Sequence, residues 1–518
     1  MAAYDFIVVG AGASGSVLAN RLSADPDVTV LMVEAGSDRI PATADVPYRW
    51  AEQHFTDVDW AYFSVPQLAL DNRTLYSAAG KGIGGSTNLY HMIHIRGAAL
   101  DYDNWAYHGA AGWAWSDVLP YFQKLEAQED KTNPTAGYDG PITVINPKDH
   151  NPNPLSQTFI DACLELGHAA TEDFNAELTG AGWHHLDIAD GKRGGARVSY
   201  LEPALARPNL TLSAHSFVTR VVIEKGRAVG VEYLQDGETK QARADREVVL
   251  CAGGVQTPKL LMLSGVGQPA HLGEFDVPVL VDLPGVGENF HDHAMMVNPI
   301  NITERRAPDP ALNMSEVCLF ANTGAWPVPD LQIGFIHRAQ AAFVQHPRFH
   351  VPQDDRLVTA LPGLVRPLSR GTVRLASADP TDNSLFDPNI LGDPEDFRRM
   401  VLAFEMARDI FHTRAFAEWG VMEVWPADVA STPDEVAQFV RASTGSYYHY
   451  VGACKMGTDA LAVVDPELRV RGVDGLRIAD ASAIPEAPTG NTQTAVVMIA
   501  ERAADFMRTS VGQSSGSA

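Results

Sequence analysis

The sequence has only four cysteines in 518 residues, and no two of them form a CxxC pair. Cys163, Cys251, Cys318 and Cys454 are too far apart in the chain for the paired spacings of zinc, iron–sulfur or dithiol redox sites. A long chain with so little cysteine is typical of a reducing compartment, so we expect a cytoplasmic protein.

Basic residues and long apolar runs are also scarce. The 39 Lys and Arg residues are outnumbered by 64 Asp and Glu residues, which gives a formal net charge of -25 at pH 7. Such an acidic surface repels phosphate backbones and anionic lipids, so we expect no nucleic acid and no membrane surface as partners. No apolar run reaches the ~18 residues of a membrane span, and the N-terminus lacks a basic region followed by a cleavable apolar segment.

The sequence does have enough apolar material for more than one hydrophobic core. Hydrophobic residues make up 45% of the chain and charged residues 20%, as in ordinary folded proteins. A chain of this length exceeds what one core usually supports, which predicts two or three closely joined lobes.

The N-terminal segment has the pattern of a dinucleotide-binding βαβ unit. We predict a strand at residues 6–9, a helix at 14–23 and a second strand at 28–33. A G-x-G-x-x-G motif lies between the first strand and the helix, where such glycines allow a tight turn and a close approach of backbone to a diphosphate. Its glycines are Gly10, Gly12 and Gly15.

An acidic residue completes this motif. Glu34 ends the second strand and follows Gly15 by 19 residues, the spacing at which a carboxylate accepts hydrogen bonds from ribose hydroxyls. The motif favours dinucleotide binding over a plain turn, but it does not distinguish NAD from FAD.

Several later segments also have recognisable patterns. Residues 209–254 alternate short strands with Lys-Gly and Asp-Gly turns, which predicts a β-meander that returns to the nucleotide sheet. Residues 394–411 predict an amphipathic helix. Residues 475–480 predict a strand, and residues 491–507 predict a capped helix whose N-terminus faces the cofactor.

Two segments predict irregular structure. Residues 130–195 are dense in Pro, Asn, Gly and His, which indicates a loop-rich covering segment, and residues 299–362 look similarly irregular. The Ser/Gly-rich end, residues 511–518, predicts a disordered tail.

Together, the motifs resemble the glucose–methanol–choline (GMC) oxidoreductase family, flavoenzymes that oxidise alcohols with FAD. The resemblance extends from residue 4 to about 507. Its ordered blocks are GKGIGGSTN, CAGGVQTPKLLMLSGVG, LPGVGENFHDH, HYVGACKMG and VVDPELRVRGVDGLRIADASAIP.

The resemblance implies an α/β fold with two discontinuous domains. A Rossmann-like FAD-binding domain is expected to comprise residues 1–95, 196–298 and 455–510. A covering and substrate-binding domain, built on a β-sheet flanked by helices, is expected to comprise residues 96–195 and 299–454.

The resemblance also implies a set of FAD contacts. By position in the family's blocks, these are Gly10, Gly12, Ala13, Ser14, Gly15, Glu34, Ala35, Gly82, Gly85, Ser86, Asn88, Leu89, Tyr90, His91, Val218, Ala252, Gly253, Asp480, Ala481, Asn491, Thr492 and Gln493. Members that tether the flavin covalently have a histidine at the position of Leu89, so we expect FAD to be bound without a covalent bond.

Two residues match the catalytic positions of the family. His449 matches the catalytic histidine, and Asn491 lies where members have a second histidine or an asparagine. Histidine suits a base at neutral pH, because its ordinary pKa lies close to that pH. The asparagine amide is able to donate a hydrogen bond to the alcohol oxygen.

The sequence departs from the family around this pair. Tyr450 and Ala453 replace the usual proline and threonine after the histidine, and Tyr90 replaces a common asparagine. We expect His91, Tyr448 and Tyr450 to line the substrate pocket, although runs of tyrosine often simply pack.

His291, Asp292 and His293 look like a metal-binding cluster. The family usually has a Gln-Asp-His block at this position without a metal, so we predict no metal site.

These observations favour FAD-dependent oxidation of a small aromatic or polar alcohol to an aldehyde or ketone, with dioxygen or a quinone or dye as electron acceptor. Three alternatives remain open. They are a lyase similar to the hydroxynitrile lyases with structural FAD, a sugar or glycoside oxidase of the same family, and a flavin-binding protein without turnover. No prediction of the oligomeric state follows from the residue pattern.

Overall fold

Two β-sheets organise the chain in the computed structural model, which describes residues 3–339, 349 and 351–514. The first sheet has seven strands, which come from three separate parts of the chain. They are Ala3–Val9, Val30–Val33, Leu210–Ser213, Phe217–Glu224, Arg227–Gln235, Glu238–Leu250 and Leu476–Ile478.

The core of the first sheet is parallel, and one long strand joins it to a meander. Glu238–Leu250 pairs through its first half with the antiparallel strand Arg227–Gln235. Its second half runs parallel between Ala3–Val9 and Leu476–Ile478. Leu210–Ser213 lies within residues 209–254 but is not part of the observed meander, because it pairs in parallel with Val30–Val33.

The turns of the meander have the backbone that their residues favour. Lys225 and Gly226 have φ angles of 51° and 81°, and Asp236 and Gly237 have φ angles of 54° and 78°. Positive φ at both central residues is the signature of the tight hairpin turn that Asp-Gly pairs adopt at low cost.

The helix that follows the glycine motif packs closely on the first strand. It spans Ala13–Leu22. A Cβ atom on Gly15 would lie 1.9 Å from the carbonyl oxygen of Gly10, so only glycine allows this approach. The helix is also held from the far end of the chain, because Glu501 forms a 2.6 Å salt bridge with Arg21.

The last helix differs from the prediction at both ends. It spans Gln493–Ser514, so residues 511–514, predicted as a disordered tail, are helical. The helix has already formed in the packed turns before residue 511, and extending it through Gly512 costs only about 1 kcal/mol relative to alanine. Residues 515–518 of the predicted tail lie outside the described residues.

The second sheet has eight strands and forms the other lobe. Its strands are Gly180–Trp183, Ala294–Met295, Ile300–Ile302, Val317–Ala321, Leu331–Ile336, Leu357–Leu364, Met422–Trp425 and Gly445–Ser446. The short strand Ala294–Met295 belongs to this sheet, although it lies in residues 196–298, which are expected to be part of the FAD-binding domain. The helix Pro394–Phe411 has the predicted bounds and packs on this sheet.

The two segments predicted to be irregular are rich in loops, but they also contain helices and strands of this lobe that the prediction missed. Residues 130–195 include the helix Pro154–Glu165, whose start is capped by the side chain of Asn153. Residues 299–362 include strands such as Val317–Ala321 and Leu331–Ile336, in which every residue is buried. Strands covered on both faces show no polar–apolar alternation, which removes the usual sequence signal.

Helices cover both sheets. Besides those given above, they are Ala99–Tyr107, Trp115–Leu125, Glu202–Ala204, Gly253–Leu263, Pro269–Gly273, Arg414–Ala417 and Pro433–Ser443. Within the described residues, none of the helices combines the length and the apolar character needed to cross a bilayer.

Candidate active site

One cavity extends from the glycine motif of the first sheet to the edge of the second sheet. Glu34 and Val218 line one end, which we call the nucleotide end, and His449 and Asn491 line the other, which we call the reactive end. Most of the predicted FAD contacts lie in its wall. They are Gly10, Gly12, Ala13, Ser14, Glu34, Ala35, Gly85, Ser86, Leu89, Tyr90, His91, Val218, Ala252, Gly253, Asp480, Ala481, Asn491, Thr492 and Gln493.

Three predicted contacts lie behind the cavity wall, where they support the loops. Gly15 packs against Gly10, as described above. The amide of Gly82 donates a 2.9 Å hydrogen bond to the carboxylate of Glu34. Asn88 donates to the carbonyl of Ile83 at 2.8 Å.

The carboxylate of Glu34 holds three separate loops together. Its Oε2 atom accepts a hydrogen bond from the amide of Ala11 at 2.8 Å. Its Oε1 atom accepts from the amides of Gly36 at 2.7 Å and Gly82 at 2.9 Å. A carboxylate has about four acceptor positions, so one remains for a ribose hydroxyl. Glu34 therefore organises the nucleotide end before any ligand contacts it.

The cavity wall has the features that a dinucleotide needs. A Cβ atom on Gly253 would meet nothing within 4 Å, and one on Gly12 would meet only Gly85 at 4.0 Å, so both residues present bare backbone to the cavity. The Nε2 atom of Gln493 is buried without a hydrogen-bond partner beside the same cavity. Bare glycine backbone suits a diphosphate, and an unpaired amide donor suits a polar ring edge, so these residues fit FAD.

A buried carboxylate fixes the wall between the two ends. The Oδ2 atom of Asp480 accepts hydrogen bonds from the amide of Gly253 at 2.8 Å and from the hydroxyl of Thr257 at 2.6 Å. Burial raises the pKa of Asp480 above its ordinary value. The acid thereby joins the strand Leu476–Ile478 to the first turn of the helix Gly253–Leu263.

The structure brings His449 and Asn491 together at the reactive end. The Nδ2 atom of Asn491 lies 3.2 Å from Nε2 of His449. Both residues line the cavity, and the surrounding protein lowers the pKa of His449 well below its ordinary value by burial and by the proximity of His293. The imidazole is therefore neutral at pH 7 and able to accept a proton.

The backbone around His449 is held by Asp292. Its Oδ1 atom accepts a 2.7 Å hydrogen bond from the amide of His449, and its other oxygen accepts from the hydroxyl of Ser446. The Ser446 hydroxyl in turn accepts from the amide of Tyr448, whose φ angle is 63°. Burial raises the pKa of Asp292 to about 7. The second residue of the His-Asp-His block therefore shapes the turn that carries the histidine.

The two histidines of the block serve different neighbours. His291 bonds through Nδ1 to the carbonyl of Asn289 at 2.6 Å and accepts the amide of Ala487 on Nε2 at 3.1 Å. His293 places Nδ1 3.0 Å from Nδ1 of His449. Within the part of the chain that the structure describes, no group of three or more His, Cys, Asp or Glu side chains is arranged to hold a metal ion.

Aromatic rings surround the reactive end. The ring of Tyr447 stacks on His449 with centroids 4.6 Å apart and planes at 17°, and His91 lies against Trp50 with centroids 3.8 Å apart. Burial lowers the pKa of His91 to about 3 and that of His54 to about 4, so both imidazoles are neutral at pH 7. All three predicted pocket residues, His91, Tyr448 and Tyr450, lie in the wall.

Two tyrosines that depart from the family pattern anchor the wall. The hydroxyl of Tyr90 donates to Asp187 at 2.7 Å, and Asp187 also bonds to His94 at 2.7 Å. Burial by itself lowers the pKa of His94, but the carboxylates of Asp187 and Glu126, which contact its two ring nitrogens, raise the pKa to about 9. The hydroxyl of Tyr450 donates to the carbonyl of Ala78, which ties the catalytic turn to the loop before the second glycine block.

The sequence did not reveal every residue of this site. Gln332 and Trp50 come from segments with no recognisable motif, and Gln332 reaches Asn491 with a 3.3 Å hydrogen bond only because the second sheet brings it there. His293 lies in a quoted motif, but only the structure shows that it contacts His449.

Comparisons with known proteins agree with this geometry. Models of the N-terminal and C-terminal parts of the GMC oxidoreductases match residues 4–295 and 367–500. The mitochondrial choline dehydrogenase of Mus musculus is 38% identical over 538 aligned positions, which cover 98% of this chain and 89% of that protein.

Solved structures of flavoenzymes resemble this chain over nearly its whole length. A pyridoxine 4-oxidase from Mesorbium loti superimposes with a TM-score of 0.91 at 32% identity, covering 97% of this chain and 98% of that one. A formate oxidase variant from Aspergillus oryzae RIB40, solved to examine FAD modification, superimposes with a TM-score of 0.89 at 26% identity, covering 98% of each chain.

Proposed function

The chain belongs to the GMC oxidoreductase family, and on that premise we propose that it oxidises a small, neutral, aromatic alcohol with non-covalently bound FAD. As a member, it is an FAD flavoprotein that acts on the CH–OH group of its donors. What carries the finer proposal is the contact between a neutral His449 and Asn491 inside a cavity end built of aromatic rings.

The roles of the two residues follow from their atoms. Nε2 of His449 accepts the hydroxyl proton of the alcohol, while Nδ2 of Asn491 donates a hydrogen bond to the same oxygen as its negative charge grows. Bound FAD supplies the acceptor for the hydride that leaves the carbinol carbon. The O–H bond breaks as the proton moves to His449, the C–H bond breaks as the hydride leaves, and the C–O bond becomes the double bond of a carbonyl.

The charge of the wall favours a neutral substrate. Of the lining residues, only Glu34 and Asp480 are acidic, and both already accept hydrogen bonds from the protein away from His449. His54 and His91 are uncharged at pH 7 because burial lowers their pKa values. Flat rings such as those of Tyr447 and Trp50 pack well against an aromatic substrate.

A second candidate is an alcohol that carries a quaternary ammonium group. A relative is a choline dehydrogenase at 38% identity, and aromatic faces attract such cations. The absence of an unpaired acid in the described lining residues counts against it, because no full charge balances the cation.

One experiment ranks these candidates. The purified holoenzyme is mixed without oxygen with benzyl alcohol, pyridoxine, choline, glucose or a cyanohydrin, and the flavin absorbance is followed. We expect bleaching fastest with the aromatic alcohols. Bleaching by choline or glucose alone would refute the substrate proposal, and cyanohydrin cleavage without any bleaching would favour a lyase.

We propose that FAD is released intact when the protein is denatured. Leu89, at the position where tethering members have a histidine, has no nucleophilic atom and lines the cavity. Acid precipitation should leave the yellow colour in the supernatant. A yellow pellet would contradict this proposal, and His91 would then be the candidate nucleophile that holds the flavin.

The electron acceptor and the cellular location also remain proposals. We propose dioxygen or a quinone as acceptor, tested by following peroxide and dye reduction in parallel during alcohol turnover. We propose a cytoplasmic location, which agrees with four buried, unpaired cysteines and is tested by cell fractionation.

A further inference from the structure

Four side chains form an unbroken chain of hydrogen bonds behind the reactive end. Nε2 of Gln332 donates to Oδ1 of Asn491 at 3.3 Å. Asn491 contacts Nε2 of His449 at 3.2 Å, and Nδ1 of His449 contacts Nδ1 of His293 at 3.0 Å. Gln332 and His293 are fully buried.

The chemistry of the groups fixes the direction of each bond. Because the carbonyl of Asn491 accepts from Gln332, the amide nitrogen of Asn491 faces His449, and an amide nitrogen only donates. Nε2 of His449 must therefore present its lone pair. A neutral imidazole has a single N–H, which must then be on Nδ1 of His449, so Nδ1 of His293 accepts it.

His293, the last side chain in this series of hydrogen bonds, is compatible with this direction. If Nδ1 of His293 accepts, its own hydrogen is on Nε2. Among the described residues, that atom is buried and has no hydrogen-bond partner. It is unpaired in either tautomer of His293, so the direction of the bond follows from the amide of Asn491 alone. The bond to His449 is the only side-chain hydrogen bond found for the His293 ring among those residues.

We infer that Gln332 and His293 are positioning residues that keep His449 in the tautomer whose Nε2 carries a lone pair, which accepts the alcohol proton once the alcohol O–H takes the place of the Asn491 amide at this atom. This inference rests on the proposed function, because it explains how the base of that reaction is prepared. Gln332 acts by orienting the amide of Asn491, and His293 acts by accepting the N–H on the opposite side of the ring.

His293 takes the place that a carboxylate has in many enzymes that use a histidine base. The described part of the chain offers the ring of His449 no carboxylate, since Asp292 bonds to its backbone amide instead. When the alcohol O–H bond breaks, the proton moves to Nε2 of His449, and the resulting imidazolium strengthens its Nδ1–H bond to neutral His293. No proton needs to leave the buried pair during that step.

A matched pair of variants tests His293. Asn and Leu have nearly the same shape, but only Asn offers an acceptor at the position of Nδ1. We expect His293→Leu to lower kcat by ~10²-fold with KM within about threefold, in the range of losses seen when a supporting partner is removed. His293→Asn should recover most of that loss. Equal kcat for the two variants would overturn the role of His293.

A second variant tests Gln332, at the other end of the series of hydrogen bonds. Gln332→Met keeps the length of the side chain but removes the donor, so Asn491 is free to turn its carbonyl toward His449. We expect about a tenfold loss of kcat, since the correct tautomer is then only part of the population. An unchanged kcat would overturn the role of Gln332.

A spectroscopic measurement decides the tautomer without using activity. Long-range proton–nitrogen spectra of the FAD-loaded protein, labelled with ¹⁵N-histidine, distinguish Nδ1–H from Nε2–H, and the signal missing in His449→Gln identifies His449. We expect Nδ1–H in the wild type, whether or not the His293 and Gln332 variants fold, and Nε2–H would overturn the inference. If no alcohol bleaches the flavin but Nδ1–H is found, the proposed function fails and the tautomer stands.

Discussion

The nucleotide end and the reactive end of the cavity are built by different means. At the nucleotide end, a single carboxylate on Glu34 gathers backbone amides of three loops, and bare glycines form the surface. At the reactive end, side chains from distant segments contact one another, and a buried nitrogen of His293 has no partner. The first arrangement pairs both oxygens of Glu34, whereas the second leaves Nε2 of His293 and Oε1 of Gln332 without a hydrogen-bond partner among the described residues.

The comparison predicts that substitutions at the two ends should separate binding from chemistry. Changes at the nucleotide end should alter FAD content and stability, and changes at the reactive end should alter the rate of flavin bleaching while FAD stays bound.

The largest effect is expected at His449. His449→Ala removes the proton acceptor, so the anaerobic bleaching rate should fall by ~10²–10⁴-fold, the usual contribution of a positioned base. FAD content and the far-UV spectrum should match the wild type. Stopped-flow absorbance gives the rate, and a variant within tenfold of wild type would remove His449 from the mechanism.

The pH profile provides the control for that variant. Because burial lowers the pKa of His449, its base form persists below the ordinary histidine value of 6.5, and the rate should decline only at still lower pH as the imidazole is protonated. Bleaching by the wild type should therefore be flat from pH 7 down to about pH 6. A decline already centred above pH 7 would contradict a base with a lowered pKa.

Asn491 should come next in size. Asn491→Leu keeps the shape but removes the donor to the alcohol oxygen, and the loss of one such donor typically costs ~10²-fold in kcat. The double variant with His449→Ala should lose less than the product of the two single losses, because the residues act on one oxygen. Fully multiplicative losses would argue that they act separately.

Substitutions of Glu34 test the nucleotide end of the cavity. Glu34→Ala leaves three buried amides without an acceptor, and hydrogen bonds to a charged group contribute ~1.5–3 kcal/mol, so the protein should purify with little FAD and a lower Tm. Glu34→Gln, which keeps one acceptor oxygen, should give intermediate values. Full yellow colour and an unchanged Tm for Glu34→Ala would show that the loops are held by other contacts.

The smallest effect is expected at Tyr450, which joins the two ends. Tyr450→Phe removes the hydrogen bond to Ala78 and leaves that carbonyl without this donor, which should cost about 1 kcal/mol of stability. Thermal melts of the holoenzyme measure it. The bleaching rate should change by less than about threefold, and a loss as large as that of Asn491→Leu would place Tyr450 among the residues that contact substrate.

The same contrast explains what the sequence was able to predict. The glycine motif, Glu34 and the helix Ala13–Leu22 are adjacent in the chain, so local spacing reports their geometry. The family and fold-class predictions are confirmed, because ordered motifs cover nearly the whole chain. His449 and Asn491 were identified by resemblance, and the structure places them 3.2 Å apart.

The second lobe was harder to predict. Every residue of the strands Val317–Ala321 and Leu331–Ile336 is buried, and the first has no polar–apolar alternation, so residues 299–362 looked irregular. Gln332 lies on one of these strands, and its approach to Asn491 depends on how two distant sheets pack. No spacing within the sequence encodes such a contact.

The long strand Glu238–Leu250 has a consequence for how the protein is made. Its edge pairs with Leu476–Ile478, and the helix behind the glycine motif is bonded to Glu501. The first sheet therefore gains its strand Leu476–Ile478 only after almost all of the described residues have been synthesised, and until then the second half of Glu238–Leu250 has an unpaired edge.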